Sequence, residues 1–223
     1  MSIRKEAETE KQKLKNMSWQ DRAWYVWEYY KFHLLAIVLA AGALYAVGNM
    51  IYRQSFSTVL SIAVINDQSG GQASMEPLEA GLKEALGCSS KELIEINEGL
   101  SVNFGDEDMS QFAYASLAKI SALAASRSLD VVIGDKGSID HYASVNTYEN
   151  LEGFLPPELY TRVRQFIYHA PDGQGQMQPV AISLEGTSFS SQTGAVMDPP
   201  YLAVAAGSPH KEAALLMIEY LFP

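Results

Sequence analysis

The sequence predicts an α/β domain with a mainly parallel sheet flanked by helices, preceded by one transmembrane helix. Two observations support this fold class. Residues 32–52 contain no Asp, Glu, Lys or Arg. Beyond them, β-branched runs of strand length alternate with apolar stripes at helical spacing, an order typical of a parallel sheet with crossover helices. The length of 223 residues and the hydrophobic content of 48% allow one such domain with an appendage.

The uncharged segment 32–52 is the predicted membrane span. At ~1.5 Å rise per residue, 21 residues are long enough to cross a hydrocarbon core of about 30 Å. An aromatic belt of the kind found at the headgroup level comes just before it: Trp19, Trp24, Tyr25, Trp27, Tyr29 and Tyr30. The alternative is a cleaved signal peptide, but the charged leader of 31 residues is longer than a normal n-region.

The charges predict the orientation of this span. Seven Lys and Arg residues lie within residues 1–31, whereas only Arg53 follows the span closely. The positive-inside rule therefore predicts a cytoplasmic N-terminus and an extracellular C-terminal domain in the cell membrane. This divides the chain into a cytoplasmic leader with an interfacial helix (1–31), the transmembrane helix (32–52) and an extracytoplasmic α/β domain (53–223).

The predicted partners follow from the same distribution of charge. Residues 54–223 contain eight basic and twenty-one acidic residues, a net charge of −13. An acidic domain repels phosphate backbones, which argues against a nucleic-acid partner. The lipid bilayer is the partner that the apolar segment predicts. A small-molecule ligand or a membrane protein complex is the further partner that we expect for the domain.

Short apolar runs and helical stripes give the order of elements in the domain. The predicted strands are Thr58–Ile65, one or two within Leu93–Val102, Leu129–Ile133, Phe166–His169, Val180–Leu184 and Tyr201–Ala205. The predicted helices are Met75–Leu86, Met109–Arg127, Ser138–Ala143, one that begins at Pro156 and one that begins at Pro209 with Ser208 as its cap. Residues 185–194 are predicted to form a loop.

The strand Leu129–Ile133 is predicted to be central. Its nearly continuous apolar run is typical of a parallel strand that is covered on both faces. Asp130 opens this strand, where its carboxylate can accept hydrogen bonds from neighbouring backbone N–H groups.

Three stretches resemble the bacterial extracellular solute-binding proteins of ABC transporters. They are Leu129–Asp135 with Ile139–Ala143, Tyr148–Tyr160, and Tyr201–Phe222, where a small-residue turn with Ser208 and His210 precedes a closing helix. The resemblance implies a periplasmic-binding-protein-like lobe. Only 57 residues separate Ala143 from Tyr201, which is too few for a full second lobe. The membrane-anchored, one-lobed pattern is similar to that of small membrane proteins of Gram-positive bacteria.

No cofactor, metal or catalytic motif stands out. The four histidines form no metal-binding pattern, and Cys88 is the one cysteine. No nucleophile elbow or phosphate-binding glycine loop is present, so we expect a protein that is not an enzyme. The acidic residues 106–108 are predicted to favour the N-terminal end of the helix that follows them.

The candidate ligand-binding residues come from the ends of two strands. Ligands of open α/β sheets bind outside the carboxyl ends of the strands. Asp67, Gln68 and Ser69 follow the first strand, and Asp135 and Lys136 follow the strand that ends at Ile133. Ordinary turn chemistry explains the same residues equally well and remains the alternative.

The functional expectation is a membrane-tethered, non-catalytic binding or accessory module related to one lobe of a solute-binding protein. The alternative is a structural or scaffolding membrane protein whose outer domain binds a protein partner.

Overall fold

The computed structural model describes residues 18–104 and 110–223. The predicted leader (1–17) and the acidic residues 106–108 lie outside the described residues. The chain divides into two compact units, Met1–Ser55 and Phe56–Pro223.

The first unit contains helix α1, which runs from Trp19 to Gln54. Its segment Lys31–Tyr52 is the one helix of the described chain that is long and apolar enough to cross a membrane, by length and composition. None of the described residues in this segment is buried within the protein. A helix in the core of a soluble protein would bury one face, so this exposure is consistent with the predicted span.

The second unit is a mixed α/β domain with a sheet of six strands. The strands are β1 (Ser57–Ile65), β2 (Glu92–Leu100), β3 (Val131–Gly134), β4 (Ile167–Pro171), β5 (Met177–Ser183) and β6 (Tyr201–Val204). The helices are α2 (Glu76–Ala85), α3 (Gln111–Ala125), α4 (Lys136–Ala143), α5 (Leu151–Phe154), α6 (Pro157–Val163), α7 (Ser188–Thr193) and α8 (Lys211–Leu221).

The strand order is β2-β1-β3-β6-β5-β4. Strand β1 pairs with β2 and β3 in parallel, whereas β3–β6, β6–β5 and β5–β4 are antiparallel. The prediction of a mainly parallel sheet is therefore wrong for the second half. After β3 the chain returns through a tight hairpin between β4 and β5 instead of a crossover helix, and a hairpin can join only antiparallel strands.

Helices cover both faces of the sheet. One core contains Leu82 of α2 and Met217 of α8, and the other contains Ile120 of α3 and Ile139 of α4. Helices α2 and α3 thus lie on opposite faces, and β2 and β3 lie on opposite sides of β1. This arrangement makes the carboxyl ends of β1 and β3 a topological switch point, the place where open α/β sheets bind ligands.

The predicted centrality of β3 is confirmed. Leu129, Val131, Val132 and Ile133 are at most 4% exposed, and β3 lies between β1 and β6.

Other details differ from the sequence prediction. The stretch 185–194 contains α7, which buries Phe189 beneath a polar surface. Ser208 does not cap α8, because its hydroxyl donates to the Asp130 carboxylate instead.

Candidate functional site

Asn66 joins the carboxyl ends of β1 and β3. Its backbone has a positive φ of 60°, a conformation that Asn tolerates better than most residues. Its Nδ2 donates to Oδ1 of Asp135 and to Oγ of Ser138, each at 3.0 Å. Its Oδ1 accepts from the Val102 backbone N–H at 2.8 Å. One amide side chain therefore fixes the geometry of the switch point.

The predicted site residue Asp135 caps helix α4. Its Oδ1 accepts from the Ser138 backbone N–H at 3.2 Å and from the Ser138 hydroxyl at 2.5 Å. These bonds, with the bond from Asn66, occupy the carboxylate oxygen that faces the helix. Asp135 thus has a structural role at the switch point.

The predicted site residues Asp67, Gln68 and Ser69 hold a loop in place. The Asp67 carboxylate accepts from the Val196 backbone N–H at 2.8 Å and from the Ser69 hydroxyl. The Gln68 N–H donates to the Val196 carbonyl at 2.9 Å. The structure therefore connects these three residues to the loop before β6. It is their neighbour Asn66 that reaches Asp135.

Lys136, the fifth predicted residue, lies among aromatic and acidic groups. Its Nζ is 2.5 Å from Oδ2 of Asp140 and 5.3 Å from the ring centroid of Tyr168. The Tyr168 hydroxyl donates to Oδ1 of Asp140 at 2.7 Å. The bonds to Asp140 and to the Tyr168 hydroxyl raise the pKa of Lys136 above its usual value. Tyr168 thus contacts both members of an ion pair.

A cavity of about 420 Å³ opens beside this cluster. Tyr201 begins β6 and pairs with Gly134 at the end of β3, which places the cavity at the same sheet edge as Lys136. We call this cavity the edge groove and define it by six of its lining residues: Gln165, Phe166, Tyr168, Ser183, Glu185 and Tyr201. A second cavity of about 490 Å³ shares Gln165, Phe166, Glu185 and Gly186 with it, so the two are continuous.

The rings of the edge groove belong to strand ends that the sequence analysis did not associate. The centroids of Tyr168 and Tyr201 are 4.7 Å apart and their planes are inclined by 42°. Burial raises the pKa of both phenols, and the carboxylates of Asp140 and Glu185 raise that of Tyr201 further. The signal that could have identified these residues is their position at the starts of predicted strands, but it depends on knowing that those strands are antiparallel.

The opposite edge of the sheet contains a buried polar cluster. Asp130 is fully buried, and its Oδ2 accepts from the Ser61 backbone N–H at 2.7 Å, as predicted for a carboxylate that opens β3. Its Oδ1 accepts from the Ser208 hydroxyl at 2.6 Å. Nδ1 of His210 lies 3.0 Å from Oδ2. Every strong contact of this carboxylate stabilises the fold.

Among residues 18–104 and 110–223, no group of three or more His, Cys, Asp or Glu side chains could hold a metal ion. Cys88 is a half-buried free thiol whose pKa is raised by burial and by Glu92. The edge groove offers aromatic rings, hydroxyl groups, an amide and one carboxylate, a set that suits recognition of a ligand.

No protein-family model, curated protein or solved structure matches the chain. Its function therefore has to be inferred from its own residues.

Proposed function

We propose that the protein is a membrane-tethered, non-catalytic binding or accessory module. Its domain is a one-lobed, periplasmic-binding-protein-like relative of the extracellular solute-binding proteins. It works on the outer face of the cell membrane, beside a transporter or another membrane complex, and helix α1 is its anchor.

The edge groove is the observation that carries the binding role. It lies at the sheet edge formed by the carboxyl ends of β1 and β3, where α/β sheets bind ligands. Its volume of about 420 Å³ is within the range of small-ligand sites, roughly 300–1,000 Å³. Tyr168 and Tyr201 give it apolar surface, and Ser183, Gln165 and Glu185 give it groups that can orient a ligand.

The membrane role is supported by α1 and by the charges on either side of it. A segment from Lys31 to Tyr52 meets the length and composition of a span. Seven basic residues precede residue 32 and Arg53 follows residue 52, which favours a cytoplasmic N-terminus. The domain is then extracellular.

Protease treatment of intact protoplasts tests the orientation. The full chain carries one tag before Ser2 and a second tag after Pro223. We expect external protease to remove the C-terminal tag and the domain while it spares the N-terminal tag. Loss of the N-terminal tag with survival of the domain would reverse the orientation and remove the proposed extracellular role.

Purification of the full chain from native membranes in a mild detergent tests the binding role. Mass spectrometry of the bound small molecules should detect a compound that is lost from a Tyr201→Ala variant and retained by the parent. A parent and variant with identical small-molecule content would contradict ligand binding at the edge groove.

A different surface favours the alternative, a scaffolding protein whose domain binds a protein partner. Phe112 and Tyr114 of α3 are 60% and 58% exposed, and Lys119 is the one charged residue of this helix. Large exposed apolar side chains are typical of interaction sites. A partner that co-purifies with the parent and is lost from a Phe112→Ser/Tyr114→Ser variant would support this role instead.

A further inference from the structure

The described residues that line the edge groove include three aromatic rings and a single charged side chain. The rings are those of Phe166, Tyr168 and Tyr201, and the charged group is the carboxylate of Glu185. A cavity with aromatic walls and a carboxylate is complementary to a positive charge. It is poorly suited to an anion, because the lining contains no basic side chain to pair with one.

The chain's own lysine shows how this surface receives an ammonium group. Nζ of Lys136 lies 5.3 Å from the ring centroid of Tyr168, within the ~6 Å limit of a cation–π contact. The Asp140 carboxylate completes the arrangement at 2.5 Å from the same nitrogen. A tyrosine ring with an adjacent carboxylate thus already holds one cation at the rim of the edge groove.

The same combination recurs deeper in the groove. Tyr201 is packed against Tyr168, and the carboxylate of Glu185 is close enough to raise the pKa of the Tyr201 phenol. Glu185 is itself exposed and can turn toward a ligand. The net charge of −13 over residues 54–223 adds a field that concentrates cations near the domain.

We infer that the edge groove binds an organic cation, an amine or a quaternary ammonium compound, between its aromatic rings and the Glu185 carboxylate. This inference rests on the proposed function and names the chemical class of its ligand. The cavity of about 420 Å³ has room for such a group together with an apolar or polar substituent.

Choline and its neutral carbon isostere, 3,3-dimethylbutan-1-ol, form a matched pair of probes. They have the same shape and differ in the charge of one atom. The full chain is prepared in a maltoside detergent, because phosphocholine detergents would compete. Binding is measured by saturation-transfer NMR on the nine methyl protons that both probes share and by calorimetric titration.

We expect choline to bind and the neutral isostere to bind roughly five- to thirtyfold more weakly, the range for a partly desolvated cation–π contact. Glu185→Gln and Tyr168→Leu should each weaken choline within this range, whereas Tyr168→Phe should retain binding because it keeps the ring. Glu98→Gln is the control, since Glu98 is an exposed carboxylate on β2, at the other edge of the sheet.

Equal affinity for the two probes, or choline binding that Glu185→Gln leaves unchanged, would overturn the cation inference. Equal binding that Tyr168→Leu weakens would still support a ligand site at the edge groove, so the proposed function would stand. If neither probe binds, the cation inference fails, and the small-molecule content of the parent and the Tyr201→Ala variant decides the proposed function separately.

Discussion

The fully buried carboxylate of Asp130 lies 3.0 Å from Nδ1 of His210, 80 residues further along the chain. Asp130 directly precedes β3, and His210 is the N-cap of α8. The same carboxylate accepts from the backbone N–H of Ser61 in β1. One side chain therefore ties the first strand, the central strand and the last helix together.

Replacement of Asp130 by Ala should strongly destabilise the domain. It leaves the Ser61 N–H and the Ser208 hydroxyl buried without their acceptor. Removing one partner from a buried charged cluster costs about 3–5 kcal/mol, and we expect this loss in the free energy of unfolding, measured by urea denaturation.

His210→Ala should cost less, about 1–2 kcal/mol, because the His210 side chain is 35% exposed and the Asp130 carboxylate keeps its other donors. Glu98→Ala should leave the free energy of unfolding within about 0.5 kcal/mol of the parent, as surface substitutions usually do. A change of similar size in Asp130→Ala would show that the cluster contributes little to stability.

Asn66→Asp should destabilise the switch point in a way that depends on pH. The new carboxylate would lie near Oδ1 of Asp135, where the parent has a hydrogen bond of 3.0 Å. Like charges repel at this distance, so at pH 7 the variant should be less stable than Asn66→Gly, which loses the side chain but keeps the positive φ without strain.

Lowering the pH to about 4 protonates a fraction of the carboxyl groups and removes part of the repulsion. The difference in urea midpoint between Asn66→Asp and Asn66→Gly should therefore narrow as the pH falls. A difference that stays constant from pH 7 to pH 4 would show that the two side chains move apart in the variant.

Gly81 is required by the ring of Tyr220. A Cβ at position 81 would lie 2.1 Å from the Tyr220 hydroxyl oxygen and 2.8 Å from Cζ, so the ring of α8 would have to move. Gly81→Ala should therefore destabilise the parent, although Ala favours a helix interior over Gly by about 1 kcal/mol.

The same substitution should be stabilising in a Tyr220→Ala background, where the clash is absent. We expect a gain of up to about 1 kcal/mol there, from helix propensity alone. A double-mutant cycle on the free energy of unfolding measures this change of sign. The same effect in both backgrounds would mean that Tyr220 rotates away from Gly81 without cost.

The strands of the first half could be predicted because their signal is local. The run Thr58–Ile65 is β-branched and too short for a helix, and it matches β1 within one residue. Leu129–Ile133 indicates a covered central strand by its lack of polar residues after Asp130. By contrast, α7 has no apolar stripe. Phe189 is its one large buried side chain, and the surrounding Ser and Thr residues resemble a loop.

The edge groove could not be predicted from local patterns. Tyr168 and Tyr201 are 33 residues apart and meet only because β4, β5 and β6 are antiparallel, so that the start of one strand lies beside the end of the next. The turn residues Asp67 and Asp135 were correctly placed at strand ends. Whether such a carboxylate faces a ligand or caps its own backbone depends on neighbours such as Val196 and Ser138, which are distant or ambiguous in the sequence.

The buried phenol of Tyr148 should make the domain sensitive to alkaline pH. Its hydroxyl is buried and has no hydrogen-bond partner among the described residues. Burial raises its pKa well above the usual value, and Tyr142 and Asp135 add to the effect. A group whose pKa is raised by folding binds its proton more tightly in the native state. Stability is therefore unaffected below the unfolded pKa of about 10 and falls as the pH rises above it.

Tyr148→Phe removes this group, and it also removes a buried hydroxyl that makes no hydrogen bond, so its stability at pH 7 should equal or exceed that of the parent. Above pH ~10 the variant should gain up to about 1.4 kcal/mol on the parent for each further pH unit. Urea midpoints at pH 7, 10 and 11 measure the gain, and absorbance at 295 nm reports when phenolate forms. Tyr114→Phe is the matched control, because Tyr114 is exposed on α3 and should follow the parent at every pH. If Tyr148→Phe and Tyr114→Phe give the same pH dependence, the Tyr148 phenol ionises in the native state and is not isolated from solvent.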